Sequence, residues 1–561
     1  MLWTYGILAL LAPLVSSRLS DGRLNGNMMP RPSVPIAPLP DRPVISRNGT
    51  VLPPYTTIYY FDQLIDHNDP TLGTFQQRFW FTYEYYEPGG PIILTTPGET
   101  NAEGNNGFLT NSTINGLIAK QENGATIMIE HRFFGLSNPY PDLTVASLKL
   151  LNIQQSVDDL VYFAENVNLP MPGGDQVTPA QAPWILTGGS YAGALTSWTM
   201  VNKPGVFWAG YSSSGVVQAI FDFWQYFEPV REGMPKNCSA DVEVVIAHVD
   251  DVLSGSDTKA IDDIKANFGL SDVTHLDDVA GALRNNLWDW QSLQPSSGAG
   301  TVFTQFCDAL EVKDGKNAGP KGWGLDHALS AWGAFWRNGY LEQVCGENTS
   351  AEDCLGTYNT SQPFWTDTSI DNYYRSWYWF VCKEVGWLQN GAPTDRPTLV
   401  SRLVPTTYDM RQCQQMFPEA FPEIPITADI NNTNTVYAGW NAKIDRIFYA
   451  NGQRDPWRDS TMSAEGLNKE STPTEIINLG DGFHCSDLLS RNVPYSTLLA
   501  DIQKKALATF HTWVSEYKPA AAQGSAPPRP VASTTSNEGL VGPPISTVGK
   551  KPISAWQKGF F

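Results

Sequence analysis

The chain has 561 residues, more than one typical domain and enough for a large core carrying an insertion. Its 57 acidic residues against 37 basic ones leave a net charge of −20, which argues against nucleic acid and anionic membranes as partners. The same balance suits solubility in acidic surroundings, where carboxylates partly protonate.

Met1 to Ser17 reads as a secretory signal, with Gly6 to Ala12 as its apolar core and Val15-Ser16-Ser17 as a small-residue cleavage site. It is too short to span a bilayer, and no later run reaches about 18 unbroken apolar residues, so a soluble mature protein is expected. Residues 18–54 are rich in Pro and Arg without periodicity and read as an extended arm or a propeptide. Strand-like runs follow at Thr57 to Phe61 and Phe75 to Tyr83, suited to an antiparallel start of a sheet. Pro91 to Thr96 and Ala125 to Ile129 are continuous apolar runs of the kind central parallel strands need. Each runs into a polar or Gly-rich loop, Pro97-Gly98-Glu99-Thr100 and Glu130-His131-Arg132-Phe133-Phe134-Gly135, at the end where open α/β sheets bind ligands.

Trp184 to Thr187 predicts another buried strand, and Ala194 to Met200 the first turns of a helix. Between them stands Gly188-Gly189-Ser190-Tyr191-Ala192-Gly193. Strand, Gly-flanked Ser and helix together make a nucleophile elbow, with a helix start that offers N–H groups to a developing oxyanion. The fifth position of G-x-S-x-G is Ala192 here, with Gly193 one later. From about 216 to 435 helical patterns dominate, for example Val242 to Leu253 and Val279 to Trp290. Trp288, Trp290, Trp323, Trp332, Trp336, Trp377, Trp379 and Trp387 fall in this stretch, most expected in helix packing and a few in a pocket wall. The sheet pattern resumes at Arg446 to Ala450 and Glu475 to Leu479, and a helix over about Thr497 to Glu516 closes the domain. Residues 519–561 are rich in Ala, Pro, Ser and Gly and are expected to be disordered. The expected layout is a signal (1–17), an arm or propeptide (18–54), an α/β-hydrolase in two parts (55–215 and 436–518), a helical cap between them (216–435) and a tail.

Six sequons, at Asn48, Asn111, Asn237, Asn348, Asn359 and Asn431, fit the secretory route. Seven cysteines in that route make disulfides the default. Three bridges in the middle of the chain and one free thiol are the simplest count, with Cys345 and Cys354 closing a local loop and Cys485 left over beside His484.

A base for Ser190 belongs in a loop after a late strand, C-terminal to the acid. Of seven histidines, His484 in Gly482-Phe483-His484-Cys485 fits; His511 lies in the last helix and His131 after an early strand reads as structural. The acid belongs after the preceding strand, where Asn451-Gly452-Gln453-Arg454-Asp455-Pro456-Trp457 stands. Asp455 is the candidate, held extended by Pro456. Asp459, Asp481 and Asp487 each lack part of that strand-end setting. The order Ser190, Asp455, His484 is the α/β-hydrolase order.

The Ser190 block, Glu130-His131-Arg132-Phe133-Phe134-Gly135, Asp455-Pro456-Trp457 and Phe483-His484 resemble the family of prolyl carboxypeptidase, dipeptidyl peptidase II and the secreted fungal prolyl endopeptidases, over about residues 57–515. The resemblance implies an α/β-hydrolase with a helical cap and serine-type cleavage after proline in peptides or proteins, without metal or cofactor. It implies Ser190 as nucleophile, His484 as base then acid, Asp455 as its orienter and the Tyr191 N–H as an oxyanion donor. It places the proline pocket at Trp457 and at Trp387, and suggests the bridges Cys238–Cys307 and Cys382–Cys413. A pocket of indole rings suits a pyrrolidine ring that carries no charge, with about 1–3 kcal/mol of selectivity per methylene-sized difference. Prolyl carboxypeptidase carries a second His directly after the catalytic one; Cys485 stands there, which weakens a carboxypeptidase reading. Glu99 and Glu103 are candidates to meet a free amino terminus, so exo and endo action both remain open. Family and acidic composition lead to an expectation of activity at acid pH, which requires a lowered His484 pKa so that the base stays neutral. The rival readings are an esterase or lipase on the same fold, which predicts an acyl-chain groove, and a non-catalytic binding protein, which predicts a missing triad member.

Overall fold

Among the described residues nine strands form the central sheet: β1 (Ile58–Leu64), β2 (Thr74–Thr82), β3 (Ile92–Thr95), β4 (Ala125–Ile129), β5 (Trp184–Gly189), β6 (Ala209–Ser213), β7 (Ile447–Gly452), β8 (Glu475–Gly480) and β9 (Ser533–Thr535). Their spatial order is β8-β7-β6-β5-β3-β4-β2-β1-β9. The structure is a computed structural model and describes residues 22–426, 428–519 and 533–535. The expected signal and most of the expected tail lie outside the described residues. Within the tail, Ser533–Thr535 pairs antiparallel with β1, with Ile58 opposite Thr535, where the sequence led us to expect no order. The free edge of β1 offers unpaired backbone groups, and Thr534 and Thr535 are β-branched.

Why the apolar runs became parallel strands is visible in their burial. Leu94 stands in register with Ile127 on one side and Leu186 on the other, and all three are buried. Side chains alternate between two cores. Ile92 and Leu94 join one face with Val157, Leu195 and Trp198, whereas Ile93 and Met128 join the other with Ile118, Ile502 and Phe510. Helices α1 (Ile114–Glu122) and α10 (Thr497–Ser515) thus cover one face, and α2 (Ile153–Asn166) and α3 (Tyr191–Asn202) the other. This is an α/β-hydrolase sheet with an antiparallel β1–β2 start.

Between β6 and β7 lie helices and two short strand pairs. The helices include α4 (Lys236–Leu253), α5 (Thr258–Phe268), α6 (Val302–Glu311), α7 (Leu325–Phe335), α8 (Tyr373–Phe380) and α9 (Thr406–Met416). Their core is continuous with one face of the sheet. The single helix expected over Val279 to Trp290 is broken into Leu276–Ala282, Asn285–Trp288 and a 3-10 turn at Asp289–Ser292. Tertiary hydrogen bonds win over helix continuity there. Arg284 binds Asp409 and the carbonyls of Gln389 and Asn27, and Asn286 Oδ1 accepts from both Trp332 (2.8 Å) and Trp336 (2.7 Å). Three disulfides, Cys238–Cys307, Cys345–Cys354 and Cys382–Cys413, staple this region, and Cys485 is a free buried thiol.

The described part of the arm, from residue 22 onward, is packed into the body. Leu24, Met28, Met29, Ala37, Val44 and Leu52 are buried. Asn27 Nδ2 donates to the carbonyls of Asp278 (2.9 Å) and Leu355 (2.7 Å), and the Tyr374 hydroxyl donates to Met29 O (2.6 Å).

Candidate active site

Ser190 sits between β5 and α3 with φ 60° and ψ −125°, a strained conformation for a residue with a side chain. Small neighbours make the turn possible: a Cβ at Gly188 would collide with the Ala192 carbonyl, and one at Gly193 would come 2.9 Å from Ser213 O. Gly193, one place beyond the usual motif position, therefore serves the close approach to the end of β6. The Ser190 N–H donates to Ser213 O (2.9 Å). As the first residue of α3, Tyr191 has an N–H with no acceptor inside the helix. The loop after β3 packs on this helix start, with the Cβ position of Gly98 3.4 Å from Ala192 Cβ.

The Glu-His-Arg block, read from sequence beside the site, turns out to brace it. Glu130 is buried and holds Arg78 through both oxygens (2.9 and 2.6 Å), the Ala102 N–H of the loop after β3 (2.9 Å) and the Ser137 hydroxyl (2.6 Å). Arg132 is buried against Asp159, donating through Nε (2.7 Å) and Nη2. His131 donates from Nδ1 to Arg132 O (2.8 Å), so its Nε2 accepts the Tyr191 hydroxyl (3.0 Å). Burial pushes the His131 pKa down to about 4, which keeps the ring neutral. The exposed His511 stands beside Glu122, away from these groups.

Asp455 lies in the loop after β7 and His484 in the loop after β8; both side chains have zero exposure. His484 Nδ1 donates to Asp455 Oδ1 at 2.9 Å, and the same oxygen accepts the Trp457 N–H at 2.9 Å. That bond fixes the tautomer and leaves Nε2 as the basic nitrogen. Among the described residues neither His484 Nε2 nor Ser190 Oγ has a hydrogen-bond partner, so the two are not bonded in this state. Their two loops meet at the end of β6. The Cys485 N–H donates to Ser214 Oγ (3.0 Å) and its thiol approaches Ser213 O (3.6 Å), the carbonyl that receives Ser190 N–H. Asp459 accepts from Glu465 N (2.8 Å) and Asp481 from Ser496, so neither serves His484. Asp487 is buried and takes the hydroxyls of Tyr211 and Ser213, both at 2.7 Å; burial lifts its pKa to about 6.

Burial works against a charged His484, but the Asp455 carboxylate and, after it, the Cys485 sulfur favour the charged ring, and the pKa stands well above the ordinary 6.5. The lowered value that acid activity would need is therefore corrected. The reason is a full carboxylate bonded to the ring where no solvent screens it. Burial also raises Glu99, to about 7, with the Arg31 guanidinium opposing; among the described residues neither carboxylate oxygen of Glu99 has a hydrogen-bond partner. Glu103, by contrast, is half exposed and paired with Arg78 (3.1 Å), so it has no free place in the site.

Aromatic rings pack beside His484. Trp457 lies 6.3 Å from the imidazole and meets Trp387 edge-on at 5.6 Å. Phe223 (5.7 Å) and Tyr226 (5.3 Å) complete the contact with Trp457, and Trp377 stacks on Trp387 at 6.0 Å. Trp387 is held at φ 56° with its indole N–H on Gln218 O (2.9 Å). Phe223, Tyr226 and Gln291, whose Oε1 accepts the Trp457 indole N–H (2.5 Å), were missed in the sequence. Gln294, which donates to His484 O (3.1 Å), was missed too. These are single residues of the cap without a local motif, brought in by contacts more than 160 positions apart.

A model of the family described as serine carboxypeptidase S28 matches residues 63–505. The chain is 35% identical over 476 residues to the serine protease vicPa of Bipolaris victoriae (strain FI3), covering 82% of this chain and 88% of that one. It is 31% identical over 451 residues to a probable extracellular serine carboxypeptidase of Arthroderma benhamiae, covering 76% of this chain and 62% of that one. Similarity extends to the thymus-specific serine protease of Homo sapiens, at 25% identity over 83% of this chain and 88% of that one.

Proposed function

The chain belongs to the serine carboxypeptidase S28 family and is a serine-type peptidase, and from that premise we propose that it cuts peptides on the carboxyl side of proline, with Ser190 as nucleophile. The Ser190 hydroxyl attacks the scissile carbonyl carbon while His484 Nε2 takes its proton. The oxyanion is received by the Tyr191 N–H and by the loop after β3 packed on it. His484 then returns the proton to the leaving amine, and a water repeats the sequence to free the acyl group. Asp455 keeps Nδ1–H in place and stabilises the imidazolium of each transition state. Proline enters the ring-walled space at Trp457 and Trp387, where shape and apolar contact select it. Glu99, a buried carboxylate with unbonded oxygens, faces a cationic group of the substrate such as its amino terminus. The leader, the sequons and three disulfides support secretion, and among the described residues no helix is long and apolar enough to cross a membrane.

The observation that carries this reading is the fully buried His484–Asp455 pair, with Nε2 unbonded among the described residues, in a loop that meets the same end of β6 as the strained Ser190 turn. Ser190→Ala should abolish hydrolysis of proline-containing peptides while leaving thermal unfolding unchanged; retained activity would remove Ser190 from its role. Mass spectrometry of products from one long proline-rich peptide separates the modes of action. Shortening from one end only is exopeptidase action, and internal fragments ending in proline are endopeptidase action. Cuts elsewhere than after proline would overturn the specificity.

A further inference from the structure

Ser190, Asp455 and His484 all have zero exposure, and Glu99, Trp387 and Trp457 are 1% exposed. A peptidase in this state admits no peptide, and part of what covers the site is its own arm. Gln291 Nε2 donates to Arg31 O at 3.2 Å and meets Ser33 Oγ at 3.5 Å. The orientation of that amide is set from behind, because its Oε1 takes the Trp457 indole N–H (2.5 Å) and the Tyr226 hydroxyl (3.2 Å). One side-chain amide therefore joins the arm's backbone to the ring that walls the pocket. Farther along, Val34 Cγ1 lies 3.2 Å from the Cβ position of Gly189, the residue before the nucleophile. The Arg31 charge is near enough to act on buried Glu99, opposing the rise of its pKa. Upstream the arm is anchored at Asn27 and Met29. Downstream it emerges through an exposed stretch at Asp41-Arg42-Pro43, and a groove of about 680 Å³ runs along Ser33–Ile36 above Gln294, Arg491 and Tyr495. The segment Met29-Pro30-Arg31-Pro32-Ser33-Val34-Pro35 is itself proline-rich, the same chemical class as the proposed substrate.

We propose that Pro30–Val34 lies in the substrate cleft as a built-in blocking peptide, and that Gln291 is the donor that receives a substrate's main-chain carbonyl once this strap is displaced. The inference rests on Ser190 being the nucleophile and deepens that reading by locating the bed in which the peptide lies. Gln291 is a positioning residue: it orients Trp457 with one atom and the bound backbone with the other.

The test compares the full chain with the doubly substituted Arg31→Glu, Val34→Asp protein. The first change sets a carboxylate against Glu99 and the second puts a charge beside Gly189, so both loosen the strap without touching the catalytic groups. A fluorophosphonate probe should label Ser190 at least about tenfold faster in the loosened protein, and a short prolyl substrate should be cut faster in parallel. A synthetic peptide of residues 29–37 should inhibit the loosened protein competitively, and adding Gln291→Leu should weaken that inhibition about tenfold, the loss expected for one neutral hydrogen bond. Equal labelling of the intact and loosened proteins overturns the strap, with the nucleophile assignment left standing. Inhibition unaffected by Gln291→Leu overturns the role of that amide. A folded, loosened protein that is neither labelled nor active overturns the nucleophile assignment, and the proposal falls with it. Should the double substitution prevent folding, hydrogen exchange on the intact chain decides. Segment 29–37 should exchange faster after Ser190 is labelled, and unchanged protection refutes the proposal.

Discussion

Replacing Asp455 by Asn isolates what the carboxylate charge contributes. Asp455 Oδ1 accepts two donors, His484 Nδ1–H and Trp457 N–H, both at 2.9 Å, while Oδ2 has no partner. An amide will therefore keep its oxygen at the Oδ1 position, because turning its NH2 there would face two donors at once. The histidine tautomer is preserved, and the catalytic loss is the charge alone. With charge centres about 4 Å apart and an effective dielectric near 20, the imidazolium of the transition state loses about 4 kcal/mol. At 1.36 kcal/mol per decade this is a fall of about a thousandfold in kcat. A flipped tautomer would cost about ten thousandfold instead. Steady-state kinetics on a prolyl peptide measure the fall, and the pH profile supplies the signature. Losing the carboxylate removes what raises His484, so the ascending limb of kcat/KM must move to lower pH. A loss under tenfold, or a limb that stays in place, would refute the assignment of Asp455.

In the unmodified protein the raised His484 pKa should put the ascending limb of kcat/KM above the ordinary histidine value of 6.5; a limb at or below that value would refute this. Trp457→Ala should cut kcat/KM for a prolyl substrate about 10–200-fold while changing an alanyl one much less. The ratio between the two substrates is the readout, since partial unfolding lowers both alike. Asp159→Asn strands the buried Arg132 guanidinium and should cost about 3–5 kcal/mol in denaturant unfolding. Burial opposes the Asp159 charge, but Arg132 holds its pKa below the ordinary carboxylate value. The pair's contribution is thus complete above that ordinary value, about 3.9, and is lost as pH falls through the lower folded one. Acid unfolding of the variant should lack this component.

What the sequence determined by itself is the part whose chemistry is local to the chain. Continuous apolar runs such as Ile92–Thr95 can only be buried on both faces, so they announced central strands. Gly188 and Gly193 around Ser190, and Pro456 after Asp455, announced turns because backbone sterics act within a few residues. The order of serine, acid and histidine followed from those turns. Tertiary structure alone decided how the pieces are braced. Glu130 looked like one residue of a loop motif and became the bracket between Arg78 and the loop after β3. Gln291 and Gln294 carried no signal at all, because an isolated amide in a helical region has meaning only through a partner far away in the chain. The direction of the His484 pKa was likewise undecidable from composition. It is set by burial against the neighbouring Asp455 carboxylate and Cys485 sulfur, and such a balance of burial against charge exists only once the chain has folded. The arm shows the same limit: its prolines were plain in the sequence, but its packing on Asp278, Leu355, Tyr374 and Gln291 rests on partners far away in the chain.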